Sequence, residues 1–426
     1  MKEQGDREPG DATHGPARAG RRLTTRETAE LLGVKPETVY AYVSRGQLSS
    51  RRDPGGRGST FDAEEVAALA GRNRRESSGS PATGGELSIR TRLTLIERDR
   101  YYFRGVDATE LAARHSYEEV AEWLWTGELR PGVTFTAPKA SVTAARRAID
   151  SLPEHSGPVD RLRVAAIAAA AADPLRFDLS EAAVLGTART LIPTLVAALP
   201  PVIRSHRDSG PLADRLWARL SGRTPDEASL RVLDTALALL ADHDLAASTL
   251  AVRVAASARA HAYAAVSAGL GALEGPLHGA ASPLAHRLLL DVLDHGSVAP
   301  VIADELRVGR SIPGLGHRLY TGEDPRARAL FALLEDIPEA APALAAARDL
   351  VATSARHTPL HANIDLALAV LTVSFGMPAT AGETVFAVAR TAGWIAHTLE
   401  EYGERPLRMR PSGQYVGARP PQPLPQ

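Results

Sequence analysis

The chain has 426 residues, 44% of them hydrophobic and 23% charged, the proportions of an ordinary globular protein with room for two or three domains. Its 49 basic side chains face 50 acidic ones, a formal charge of −1, so the molecule as a whole is no polyanion binder. Only Lys2, Lys35 and Lys139 are lysines, which argues against Schiff-base chemistry, and the absence of cysteine excludes disulfides, thiolate metal sites and a cysteine nucleophile.

Residues 1–20 are polar, Gly-rich and aperiodic, and read as a disordered tail with no apolar core for a secretory signal. From there the signals sharpen. Thr24 and Glu27 have capping-box spacing and open a helix ending at Leu32 before Gly33. Pro36 suits a first helical position, with Val39, Tyr40 and Val43 on one side of the helix that follows. Leu48–Arg52 and Ser59–Phe61 read as short strands around a Gly-rich loop, and Asp62 with Glu65 caps a helix to about Ala70. This stretch, residues 21–71, resembles the winged helix-turn-helix of excisionase and MerR-type proteins. Residues 18–75 carry twelve basic and seven acidic side chains, so this part is +5 and the remainder −6. A basic module on an acidic body is the footprint of phosphate-backbone binding, with protein contact as the rival use. Lys35, Thr38, Tyr42 and Arg45 are the candidates for the groove, and Arg51, Arg52 and Arg57 for phosphates on the wing.

Residues 72–86 form a Ser/Gly-rich linker. The body, residues 87–420, has a β-like start (LSIRTRLTLIERDRYYFRG) and then Ala/Leu-rich helical pattern, with a Pro-rich tail at 421–426. Helix starts are marked at Ser116 with Glu119 and at Asp160 after Pro158, and a break at Gly376–Pro378. The apolar windows Val164–Ala172 and Leu191–Ile203 fall short of the ~20 residues a membrane helix needs. There is no G-x-x-x-x-G-K-S/T loop for a nucleotide phosphate. The expectation is a mainly α, soluble, cytoplasmic protein.

Polar residues interrupt the apolar helices at a few places. His278 sits in a Gly/Pro turn (EGPLHGA) before a helix beginning at Ser282-Pro283, where the positive end of the helix dipole disfavours an imidazolium. A neutral imidazole there can donate to an oxygen that becomes negative during reaction, although a lone histidine in such a turn is more often a cap. Ser311–Arg318 (SIPGLGHR) and Asp324-Pro325-Arg326 present backbone that a ligand can approach, a donor in His317 and an anion clamp in Arg326. Asp365, in HANID, reads either as an N-terminal helix carboxylate or as an ionised base. Arg390 and the Arg408–Pro411 run complete the set.

The order of these motifs is more telling than any one of them. GPLHGAA, PGLGHRLY with DPRA, ANID, ARTAGWIAH and RPSGQYVG follow one another as in the citrate synthase family. YFRGVDATELAARHSYEEVAEWLWTGEL, GPVDRLRVAAIAAAAADP and ADHDLAAST resemble that family's earlier segments. The resemblance implies a two-domain helical fold, with a small domain at about residues 280–375, and a homodimer. It implies condensation of acetyl-CoA with oxaloacetate and thioester hydrolysis to citrate, a tricarboxylic acid cycle reaction, with 2-methylcitrate synthesis from propionyl-CoA as the nearest alternative. A regulator whose body senses a metabolite is the rival of another class. By the same resemblance Asp365 is the base, His278 the donor to the thioester oxygen and His317 the donor to the ketone. His243, Arg326 and Arg390 bind carboxylates, Arg410 is lent by the partner, Ile312, Gly314 and Gly316 meet coenzyme A, and Phe386 lies beside the site. No metal or cofactor is implied. Departures from the family pattern stand at Asp244, Ala246, Thr321 (where many members carry a basic residue) and Leu366–Leu368.

Overall fold

Helices of the main body begin where the sequence supplies a cap. In the computed structural model, Asp107 accepts from the backbone of Thr109 and Glu110, Ser116 and Glu119 close a capping box, and Asp160 accepts from Gly157. The structure describes residues 22–32, 34, 36–44, 48–52, 59–67, 69, 89–204, 209–275, 278–279, 281–356, 359–411, 415–419 and 422. They fall into two compact units, Met1–Arg90 and Thr91–Gln426.

In the first unit the helices Thr25–Leu32 and Pro36–Ser44 lie in one small core with a three-stranded antiparallel sheet. Thr24 and Glu27 make the reciprocal bonds of the expected box, at 2.8 and 3.3 Å. The wing strands are Ser50–Arg52 and Ser59–Asp62, and the sequence reading missed a third, Arg22–Thr24, which pairs Leu23 with Phe61. Leu23, Val39, Leu48, Phe61 and Val66 form the core. One assignment is reversed: Tyr42 is half-buried against this core, whereas Tyr40 is 49% exposed and bonds the Thr25 hydroxyl. Thr38 and Arg51 are exposed. Lys35, Arg45, Arg57 and the Arg52 side chain lie outside the described residues.

The second unit opens with the antiparallel strands Thr94–Glu97, Arg100–Phe103 and Val106–Asp107, the β-like start expected there. The rest is helical. Its backbone element is the helix Ala381–Tyr402, buried along most of its length and packed against helices Tyr117–Thr126, Glu181–Ala198, Glu227–Leu240, Ala247–Ser257 and Ala262–Leu273. The sequence AVARTAGWIAHT explains that burial, since alanine and glycine let neighbours approach closely. Gly393 is one such position, because a Cβ there would collide with the Ala241 carbonyl oxygen. A second group, helices Ala281–His295, Pro325–Glu335, Ala341–Ala355 and Ile364–Ser374, packs around the last of these. Among the described residues no helix is long and apolar enough to cross a membrane.

Candidate active site

Five segments converge on one cavity of about 480 Å³. The loop before helix Ala247–Ser257 brings His243, and the turn before helix Ala281–His295 brings His278. The loop before helix Pro325–Glu335 brings His317 and its first turn Arg326, helix Ile364–Ser374 brings Asp365, and the long helix brings Phe386 and Arg390. Seven of the eleven residues singled out in the main body therefore line one space.

The three site imidazoles are held neutral. Burial, reinforced by Arg390, lowers the pKa of His278 to about 4. The expected cause was the helix dipole, but burial leads here. His278 Nε2 lies 2.8 Å from the Ser248 hydroxyl, a partner the reading of ADHDLAAST did not assign. His317 is likewise lowered to about 4 by burial and then by Arg326. The backbone N–H of Leu319 donates to its Nδ1 at 3.1 Å, and Arg326 Nη2 lies 3.4 Å from its Nε2. His243 is buried, its Nε2 is 2.7 Å from the Tyr320 hydroxyl, and burial pushes its pKa well down.

The carboxylate moves the other way. Asn363, not Asp365, caps helix Ile364–Ser374, its side chain accepting from the Asp365 N–H at 2.9 Å. Asp365 stands inside the first turn, and burial raises its pKa to about 6, well above the ~3.9 of a free aspartate. Arg326 opposes the shift and Asp324 adds to it.

The arginines are fixed differently. Arg326 is held by Asp324 through Nε and Nη2, at 3.0 and 2.8 Å, and this buried pair keeps the guanidinium charged. Asp324 also accepts from the Ile364 N–H at 3.1 Å, tying the arginine to the helix that carries Asp365. Arg390 donates from Nε to the Leu240 carbonyl, lies 4.5 Å over the Phe386 ring, and is lowered to about 10 by burial. Buried arginines and neutral imidazoles thus face one space with the Asp365 carboxylate, a setting for a dianion and a developing oxyanion.

Four candidates do not line this cavity. Gly314 and Gly316 have φ of +84° and +79°, and their loop is strapped to residues 361–363 by bonds from Gly316 N–H to His361, Asn363 N–H to Gly314, and the Asn363 amide to Gly316. Ile312 is buried. Arg410 is exposed beyond the end of the long helix. Among the described residues no group of three or more His, Asp or Glu side chains could hold a metal ion.

Residues 83–412 match the family profile described as citrate synthase, C-terminal domain. The chain belongs to the citrate synthase family. Residues 22–74 separately match a helix-turn-helix domain. The citrate synthase of Haloferax volcanii is 32% identical over 361 residues, covering 79% of this chain and 95% of that protein. A 2-methylcitrate synthase of Mycobacterium tuberculosis is 29% identical over 333 residues, covering 74% and 84%. The ternary complex of carboxymethyl coenzyme A and oxaloacetate with citrate synthase from Thermoplasma acidophilum aligns with a TM-score of 0.67 and 25% identity, over 82% of this chain and 98% of that one. Of the positions where the sequence was read as departing from the resemblance, Asp244 and Ala246 line the cavity itself, whereas Leu366–Leu368 are fully buried.

Proposed function

We propose that the body condenses acetyl-CoA with oxaloacetate and hydrolyses the product to citrate and free CoA. The observation that carries this reading is the arrangement of a carboxylate of raised pKa and two neutral imidazoles around one cavity with two buried arginines. Asp365 takes a methyl proton from the acetyl group. His278 donates to the thioester oxygen from the ring nitrogen opposite the one that meets the Ser248 hydroxyl. The enol carbon then forms a bond to the ketone carbon of oxaloacetate as the enol O–H proton returns to His278, while His317 supplies the proton of the new hydroxyl and is reprotonated as Asp365 gives up the methyl proton. Water next adds to the thioester carbonyl, the C–S bond breaks, and CoA leaves as the thiol. His243, Arg326 and Arg390 hold the carboxylates, and Arg410 of a second copy completes the set in a homodimer. Acetyl-CoA is substrate rather than resident cofactor, with Ile312, Gly314 and Gly316 against its nucleotide end. Residues 280–375 are the smaller part that closes on it, and the cytoplasm is the compartment.

Propionyl-CoA is the second acyl donor to consider. Ala246, Ala247 and Ala281 line the cavity with small side chains, and one methylene is worth only ~1–3 kcal/mol of discrimination. The N-terminal module, residues 21–71 joined by the 72–86 linker, is read as a DNA-binding element. The test of the enzyme is thiol release from the purified full-length protein. Release that requires both oxaloacetate and an acyl-CoA is expected, and the ratio of acetyl- to propionyl-CoA rates assigns the donor. No release with either leaves the metabolite-sensing regulator.

A further inference from the structure

The loop that carries His317 is held at two points that the reaction does not itself require. Tyr320 bonds His243, and its ring centre is 4.8 Å from that of His317. One residue on, the Thr321 N–H donates to Asp99 Oδ1 at 2.7 Å, the Thr321 hydroxyl to Oδ2 at 2.9 Å, and the Gly322 N–H to Oδ2 at 3.2 Å. Asp99 comes from far away in sequence, at the turn between strands Thr94–Glu97 and Arg100–Phe103. Arg98 and Asp99, with φ of +52° and +57°, form the two-residue turn of that hairpin, the left-handed geometry that suits the twist of the paired strands. From this turn one carboxylate gathers three donors of a single loop. The Thr321 N–H and hydroxyl, with the Gly322 N–H, hold the Asp99 carboxyl below its ordinary pKa.

We propose that Asp99 is a positioning residue for His317, a latch that docks the 317–322 loop onto the hairpin and fixes the imidazole over the cavity. The latch suits this chain in particular, because Thr321 stands where the family resemblance expects a basic side chain. Threonine adds a third bond to the carboxylate and leaves no long cation to compete for it. The proposal rests on the reading of His317 as the donor to the ketone. It adds a role for two residues outside the cavity lining.

The test uses the full-length protein with Asp99→Ala, Thr321→Val, the double variant, and His317→Ala as a control. Asp99→Ala should lower kcat/KM for oxaloacetate about tenfold, as expected for losing hydrogen bonds to a charged group. The KM for acetyl-CoA at saturating oxaloacetate should stay within about twofold, and trypsin should cut faster after the exposed Arg318 on the released loop. Thr321→Val, which removes one bond only, should show a smaller loss of the same kind. The double variant should be no worse than Asp99→Ala, because both act through one latch. Unchanged oxaloacetate kinetics and unchanged cleavage in Asp99→Ala overturn the proposal, as does a double variant whose losses multiply. If His317→Ala keeps its activity, the reading of His317 has failed instead, and the cleavage rate still judges the latch by itself.

Discussion

Asp365 is where the chemistry and the stability of the fold oppose each other. Its folded pKa of about 6 lies above the unfolded value, so the fold prefers the protonated form. That preference favours the folded state fully below about pH 4 and is lost as pH rises through about 6. At neutral pH the ionised carboxylate is therefore a cost, and Asp365→Asn removes it together with the basicity. The variant should lose turnover by orders of magnitude while its thermal midpoint at pH 8 rises by an amount worth about 1–2 kcal/mol, a range reduced for the side chain's partial exposure. Near-wild-type turnover would end the assignment, and a lower midpoint would contradict the burial argument. In the wild type the same group should set the acid limb of kcat/KM near pH 6, because His278 and His317, at about 4, are already neutral there. A limb at the usual aspartate value would mean that the carboxylate is solvated. His278, His317 and Asp365 were picked out by the family order of the motifs that hold them, and one cavity gathers all three. Ser248, Tyr320 and Asp324 were not, because serine, tyrosine and aspartate beside such residues are common, and only the fold shows which atoms they meet.

At the scale of elements, the loop–helix joint at Gly314 decides whether Asp365 and His317 face each other. A Cβ on Gly314 would stand 2.9 Å from Leu366 Cβ, and its φ of +84° is glycine territory. Gly314→Ala combines a backbone penalty of about 1–2 kcal/mol with overpacking of about 1–3 kcal/mol, so a destabilisation of a few kcal/mol is expected in chemical denaturation. A change below about 0.5 kcal/mol would show that the joint yields freely. Capping chemistry made many of the element boundaries readable: Thr24, Ser116 and Asp160 each sit where the reading put them. The strand Arg22–Thr24 escaped because three residues carry no period, and its pairing with Ser59–Asp62 is non-local. Tyr42 and Tyr40 exchanged faces for a related reason. Two tyrosines two positions apart in a helix of nine residues both look amphipathic, and only the core at Val39 and Phe61 chooses between them.

For the whole molecule, the homodimer and the basic module are linked expectations. If Arg410 serves the partner's cavity, mixing inactive Arg410→Ala with inactive Asp365→Asn subunits restores one good site per hybrid dimer, about a quarter of wild-type activity after random exchange. No recovery after verified exchange would place the arginine's action within its own chain. A two-fold body also carries two helix-turn-helix modules, and their charge is segregated: residues 18–75 are +5 while the remainder is −6. An acidic body repels a phosphate backbone, so binding has to come from the module, and DNA affinity should fall steeply with salt as counterions are released. Arg51 is exposed on the wing strand Ser50–Arg52, as the proposed phosphate contact requires. Replacing Arg51, Arg52 and Arg57 by alanine should weaken binding to every sequence alike and reduce the salt slope by up to about 3, roughly one unit per lost contact. Acyl-CoA condensation in that variant should be unchanged, because every residue assigned to the reaction belongs to the second unit. The measurement is an anisotropy titration of the full-length protein on genomic fragments at two salt concentrations. Absence of binding at low salt would leave the exposed face around Tyr40 as a surface for protein contact.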